Sequence, residues 1–445
     1  MSDLLMIGAS GAKAYRAALA TISENISNAN TENYARRTIQ LRESAASSVT
    51  SPLYVPKSNF GGAEIGGIRR QTDAYLDAAT RLSGNILGSA DQRLRWNGDI
   101  ETALNDTTLG VGQRLSEMFS AVQKLAANPA DTSLRTNVVY GVEQVVTAFG
   151  QAGTSLAEVT KAISGQAGIE VATLNDALVQ LANANEGLRR VVPGTSAEAQ
   201  LLDSRDSALD TISQKLNVTI TFKDHGVAQV DYAGKTIVES VTPTAFSFST
   251  NSDGTIALAH EGAAIGEPSG GSIGGLVESA KVARDRTTSL NALASQFASD
   301  LNGWHAGGLT DAGTAGGPLV SYDPALGAAG LAVTITDISQ IAARSSDGTL
   351  NGNLIAINSI RGTNGVENGW TALVAQHANM MTTTKLQQEA AEARDGQTRS
   401  ARSDVSGVDL DVEAADLLRF QQAYQAAARV MQVGRETVQA ILDIF

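Results

Sequence analysis

The chain has 445 residues, enough for about two to four domains with cores of their own. A net charge of -13, from 33 basic and 46 acidic residues with no run of Lys or Arg, excludes the basic stripe of a nucleic-acid binder. The absence of cysteine excludes disulfides, thiolate metal sites and cysteine nucleophiles. No apolar stretch is long enough to cross a bilayer, and no basic region followed by an apolar one marks a Sec signal peptide.

The first helix is placed from about Leu4 to Ala29, ending in the turn Asn28–Thr31, where Asn suits a left-handed helix end. Short strands or extended loop follow, as in Thr38–Leu41, and a Ser-, Pro- and Gly-bearing stretch runs from Ser44 to Gly67. From about Asp73 to Val192 the pattern is helical. Val111, Leu115, Met118, Val122 and Leu125 form a stripe stopped at Asn128-Pro129, and Asp131 reads as the next N-cap. Leu134 to Ile163 mark one long helical region, and Leu174 to Leu188 a further helix, broken at Pro193-Gly194. From Asn217 to Ile265 the period changes to two, with turns at His225-Gly226, Ala233-Gly234 and Asp253-Gly254, which reads as one small antiparallel β module. Gly270–Gly275 closes it. A helix resumes from Leu276 to Trp304, a Gly-rich loop spans Ala306–Gly317, and Val333 and Ile335 suggest a short strand. Helices return from about Trp370 to Arg394 and again beyond Asp411.

The two ends carry the same pattern. Leu5, Gly8, Ala12, Tyr15, Leu19, Ile22, Ile26 and Ala29 alternate in steps of three and four, and so do Leu417, Phe420, Tyr424, Ala427, Met431, Gly434, Val438, Ile441 and Phe445. Such alternation marks a helix with one coiled-coil seam. The fold class expected is mainly α with a small β insert, nested so that each domain uses an outgoing and an incoming piece of chain. The domains are placed at 1–45 with 408–445, at 46–195 with 275–407, and at 196–274 for the β-rich outer insert. The N- and C-terminal helices would form a coiled-coil-like inner domain. An isolated terminal helix is marginal, so both termini are expected to order only on assembly.

The segment Asn25-Ile26-Ser27-Asn28-Ala29-Asn30-Thr31-Glu32-Asn33-Tyr34-Ala35-Arg36 resembles the N-terminal signature of flagellar axial proteins, the rod, hook and hook-associated group. Ser406–Ala415 with Leu418–Ala426 is similar to their C-terminal signature. Leu201-Leu202-Asp203-Ser204-Arg205-Asp206, and Leu293–Ala298 leading to Asn302–Gly308, narrow the resemblance to the hook-associated protein 1 family. That family forms the hook–filament junction. The resemblance implies a structural subunit and no enzyme. It implies self-association of about a dozen copies in a ring or short helical zone, with hook protein below and the next hook-associated protein and the flagellin side above. It also implies type III export without a cleaved signal, a cytoplasmic export chaperone on the C-terminal helix, and a place in the extracellular flagellum. Family members commonly have Gly where this chain has Asn33, and Asn is the next best residue for a positive φ. The chain is compact for the family, so an outer domain of longer relatives is expected to be reduced or missing.

Leu5, Tyr15, Leu19, Ile22, Ile26, Leu417, Phe420, Tyr424, Met431, Val438 and Ile441 are the expected assembly residues. Asn28, Asn30, Asn33, Tyr34 and Arg36 are the expected signature turn, with Tyr34 and Arg36 fixing it. Gly8 and Gly434 occupy seam positions, as weak points or as points of close approach. Asp203 and Asp206 flank Arg205 and read as ion-paired helical neighbours rather than an acid–base site. Gly270–Gly275 lacks the Lys-Ser or Lys-Thr of a phosphate loop. His225, His260, His305 and His377 are scattered without a metal-binding spacing, and His305 is expected to pack beside its Gly-rich loop. No catalytic, cofactor-binding or metal residue is assigned. The alternatives are a hook or distal-rod subunit, disfavoured by the central motifs; flagellin, disfavoured by the N-terminal signature; and a secreted hydrolase, which only single acidic residues support.

Overall fold

The computed structural model describes residues 2–31, 33–43, 62–104, 107–238 and 243–443. Phe445, at the end of the C-terminal stripe, and most of Ser44–Gly67 lie outside these residues. The chain divides into two compact units. The first is Met1–Asn85, Thr173–Ala245 and Glu392–Phe445, and the second is Ile86–Ala172 and Phe246–Ala391.

The first unit starts with α1 (Ser2–Ser27) and an antiparallel pair, β1 (Arg37–Glu43) with β2 (Ala63–Arg70), bulged between Gln40 and Leu41. Next come the opening turns of α2 (Ala74–Leu104), whose N-cap Asp73 accepts bonds from the Tyr75 and Leu76 amides at 2.8 and 3.1 Å. The far end of α4 (Thr132–Arg190) leads to α5 (Ser196–Lys215). Thr195 caps α5 by accepting from the Glu198 amide, while the Glu198 carboxylate accepts from the Gly194 amide. This is a close variant of the capping box. A three-stranded antiparallel sheet follows, β3 (Thr219–Phe222), β4 (Ala228–Tyr232) and β5 (Lys235–Val238), in that order. Ala233 and Gly234, both at positive φ, make its tight β4–β5 turn.

The second unit holds α3 (Val111–Ala127), most of α4, and a second three-stranded sheet, β6 (Phe246–Thr250), β7 (Ile256–His260) and β8 (Ala263–Ala264). It continues with α6 (Gly271–Ala306), the hairpin β9 (Val320–Tyr322) with β10 (Leu331–Val333), and α7 (Gly352–Ala356). The opening part of α8 (Val366–Ser406) completes it. The core is hydrocarbon and aromatic: Trp96 and Ile100 of α2, Leu115 and Met118 of α3, Phe149 and Leu156 of α4, Phe297 and Trp304 of α6, and Trp370 of α8. The Phe149 and Phe297 rings stand 5.8 Å apart, tilted. The last helix, α9 (Leu410–Leu442), returns to the first unit, and its N-cap Asp409 accepts from the Asp411 and Val412 amides.

The mainly helical class matches the sequence reading, with three local differences. The segment 134–188 lies within one helix of 59 residues rather than two, because no Pro interrupts it and its glycines are tolerated singly. Gly271–Gly275 is the first turn of α6, not a loop. A Cβ at Gly275 would fall 2.5 Å from the Ser89 carbonyl oxygen of α2, so only glycine permits that approach. The strands of 217–265 form two separate sheets, one in each unit, rather than a single module.

Candidate assembly interface

The sequence motifs of the two termini meet in the first unit. α1 and α9 pack antiparallel: Leu5 lies at Gly434, Gly8 at Met431 and Ala427, and Tyr15 at Phe420, with ring centroids 6.2 Å apart. A Cβ at Gly8 would sit 2.7 Å from Met431 Cγ and 3.2 Å from the Met431 amide nitrogen. Close approach, rather than helical weakness, therefore accounts for this glycine.

The buried line on α1 runs through Gly8, Gly11, Ala18, Ile22 and Asn25, and on α9 through Glu413, Ala427 and Gly434. Of the expected assembly residues, Ile22 is buried. Leu5, Tyr15, Leu19, Leu417, Phe420, Met431 and Val438 are half-buried, while Ile26, Tyr424 and Ile441 are exposed. Leu4, Met6, Leu418, Val433 and Leu442 are also largely exposed, so both helices keep apolar surface after pairing.

Asn25 closes the deep end of this seam and is almost fully buried. Its amide nitrogen donates to the Arg37 carbonyl at 2.9 Å and to Glu413 Oε2 at 3.1 Å. Its oxygen accepts from the Tyr34 hydroxyl at 2.8 Å and from the Arg37 amide at 3.0 Å. Both donors and both acceptor sites are used, the condition for a buried amide to stabilise. The Glu413 side chain is wholly buried and pairs with Arg36 Nε at 2.5 Å. Arg36 also reaches Asp416 at 3.3 Å, its amide donates to the Ser406 carbonyl, and its carbonyl accepts from the Gln71 amide. Burial pushes the Tyr34 phenol up to about 12, against the nearby Arg37, so it remains a donor to Asn25.

The turn is built as its composition demands. Asn28 donates to the Glu24 carbonyl and accepts from the Thr31 hydroxyl. Asn30 is exposed, and Asn33 takes φ +61°. Tyr34 and Ala35 share one cleft of about 220 Å³ with Ser406, Gly407 and Val408, so both terminal signatures line it.

A buried charge ladder lies behind the turn. The β1–β2 register places Arg37 directly opposite Arg70, a repulsive cross-strand pair by itself. Asp203 of α5 offsets the repulsion, 2.7 Å from Arg37 and 2.8 Å from Arg70. The Arg70 approach is a charge contact rather than an aligned hydrogen bond. Asp203, Asp206 and Asp210 share one face of α5 by their spacing. Asp206 receives Arg70, Arg81 and Arg205 at 2.9, 3.4 and 2.6 Å. Asp210 receives Arg81 and Arg402 at 2.9 and 2.8 Å, and Arg402 also holds Asp77. Glu24 joins through Arg37 at 3.0 Å. Asp203 and Asp206 are thus ion-pair members, as the sequence suggests. Arg205 was legible there as a neighbour, but Arg37, Arg70 and Arg81 were not, because they lie far away in the chain.

Two histidines of the second unit are also structural. His305 Nδ1–H donates to the Gly317 carbonyl at 2.6 Å, and its Nε2 accepts from the Ala342 amide at 2.9 Å, which pins the Gly-rich loop. His377 Nε2–H donates to the Asn97 carbonyl and its Nδ1 accepts from Arg286. Burial lowers the pKa of both. Among the described residues no cluster of three metal-ligating side chains occurs, and no helix is long and apolar enough to cross a membrane.

Residues 98–320 match the family model described as the flagellar hook-associated protein FlgK helical domain. Residues 5–34 match the flagella basal body rod protein model, and residues 400–444 the flagellar basal body rod FlgEFG protein C-terminal model. The flagellar hook-associated protein 1 of Bacillus subtilis (strain 168) is 26% identical, over 97% of this chain and 96% of that protein. The protein of the same name from Salmonella typhimurium is 28% identical over 71% of this chain, a match spanning 59% of the relative's own length. In fold, the chain resembles the flagellar hook junction protein FlgK from Burkholderia pseudomallei, with a TM-score of 0.66 and 14% identity, over 74% of this chain and all of that one. With the two axial signatures joined at Asn25, Arg36 and Glu413 and the helical domain between them, the chain belongs to the flagellar hook-associated protein FlgK family.

Proposed function

We propose that this structural protein of the flagellum joins hook to filament as a short zone of about a dozen copies, related head-to-tail rather than as closed twofold pairs. The observation that carries this reading is the paired α1 and α9, which unite the two axial signatures and still expose Leu4, Met6, Leu418, Val433 and Leu442. In this reading those residues pack against neighbouring copies, together with the half-buried Leu417, Phe420, Met431 and Val438. The helical middle of the chain makes lateral contacts, and the strands within 196–274 face outward. Hook protein lies below, with the next hook-associated protein and the flagellin side above.

The chain leaves the cell through the type III apparatus, and a cytoplasmic chaperone covers the apolar surface of α9 before export as a helix-in-groove partner. No disulfide has to be broken for that passage, since the chain has no cysteine. A clean gene deletion examined by electron microscopy tests the assignment. Completed hooks without filaments, and flagellin lost to the medium, are the expected result. Missing hooks would move the protein to the rod or hook, and intact filaments would overturn the reading.

A further inference from the structure

We propose that Glu413, held by Arg36 and Asn25, is the residue that sets the register of α9 against α1. The apolar seam does not set it alone. The row Leu417, Phe420, Tyr424, Ala427, Met431, Gly434, Val438 and Ile441 is apolar or small throughout, so a slide of one heptad still offers α1 an apolar face. Glu413 breaks that degeneracy. In the observed register its carboxylate meets Arg36 Nε at 2.5 Å and the Asn25 amide at 3.1 Å, with no side-chain exposure. A one-heptad slide in one direction would carry it to Ala18 and Leu19, and in the other beyond the end of α1 at Ser27. Either way a buried charge loses its partners, and fixing register is the best-attested use of such a group. The pin also sits beside the signature turn, where α1 has ended and α9 begins, and Arg36 is bonded there through its backbone to Ser406 and Gln71. Pairing then propagates outward from the signature turn.

Disulfide trapping in the 445-residue chain tests this, since no native cysteine competes. Gly11→Cys, whose Cβ would stand 3.6 Å from the Ala427 Cβ, is combined in turn with Ala427→Cys, the observed register, and with Gly434→Cys or Phe420→Cys, one heptad away on either side. With the pin intact, the Ala427→Cys pair should close at least about ten-fold faster than the other two. In Glu413→Gln and in Arg36→Gln backgrounds that advantage should fall to about three-fold or less as off-register pairs become populated. A merely stabilising role would change all three rates together and preserve their ratios. Unchanged ratios in both backgrounds would overturn the proposal, as would equal rates with the pin intact. The inference deepens the assembly reading but is measured on single chains in solution. Its failure would leave the junction assignment standing, and a failed junction assignment would leave the register result standing.

Discussion

At Asp206 burial and charge act in opposite directions, and charge wins. Burial pushes its carboxyl upward, but Arg205, Arg70 and Arg81 together hold it below the ordinary carboxylate range. Its contribution to stability is therefore complete above that range and is lost as pH falls through the lowered folded pKa. Asp206→Ala leaves three arginines with one shared partner fewer, and breaking a buried pair in this way costs about 3–5 kcal/mol. Denaturant unfolding followed by amide exchange in α5 should show that loss, and a change under about 1 kcal/mol would contradict the ladder's role. The histidines titrate in a different window. His305 and His377 are held below 6.5, mainly by burial, while the unfolded chain takes up protons near 6.5. Stability of the second unit is thus full above about pH 6.5 and declines below it, by up to about 1.4 kcal/mol per pH unit for each histidine. All three tryptophans, Trp96, Trp304 and Trp370, lie in that unit's core, so their fluorescence reads it separately. His305→Gln should flatten the slope, and a slope unchanged by the substitution would refute this origin.

At the scale of elements, the α1–α9 pair depends on absent side chains as much as on present ones. Gly8→Ala should weaken the pairing, because its Cβ would meet Met431 Cγ at 2.7 Å and backbone atoms of α9 at 3.2 and 3.3 Å. Gly165→Ala in α4 meets nothing within 4 Å and should stabilise its helix by up to about 1 kcal/mol. Amide exchange in α9 and in α4 would compare the two, and equal protection changes would contradict the seam geometry. The terminal helices were legible in the sequence because their periodicity is long and acidic residues stand at the start of α9. Their contact line was less so: large apolar residues such as Leu19 and Ile26 draw the eye, while the buried line runs through Ala18 and Asn25. A polar residue at the end of an apolar stripe reads as a helix terminus until its partner is known, and Glu413 lies 388 residues away from Asn25. The strands were legible from their turns, but their division into two sheets depends on contacts that a period-two pattern does not encode. The expectation that the termini order only on assembly treats each helix as isolated, whereas each has a partner in the same chain.

At the scale of the whole molecule, the two units are held by different physics. One contains a hydrocarbon core with three tryptophans, and the other joins its strands and helices through a ladder of arginines and carboxylates on α5. The family was legible because its signatures are local in sequence, at the two ends and around Leu201–Asp206. The physical reason for those signatures emerges in three dimensions: Asn25, Tyr34 and Arg36 from one end meet Glu413 from the other, and Arg37 ties the same turn to Asp203. In the proposed function, copies of this chain occupy the boundary between hook and filament. Gold labelling of an epitope-tagged chain in the complemented deletion strain, viewed by electron microscopy, tests it most directly. Label confined to a narrow band where the hook ends and the filament begins is the expected result, and label spread along the hook or the filament would refute this placement.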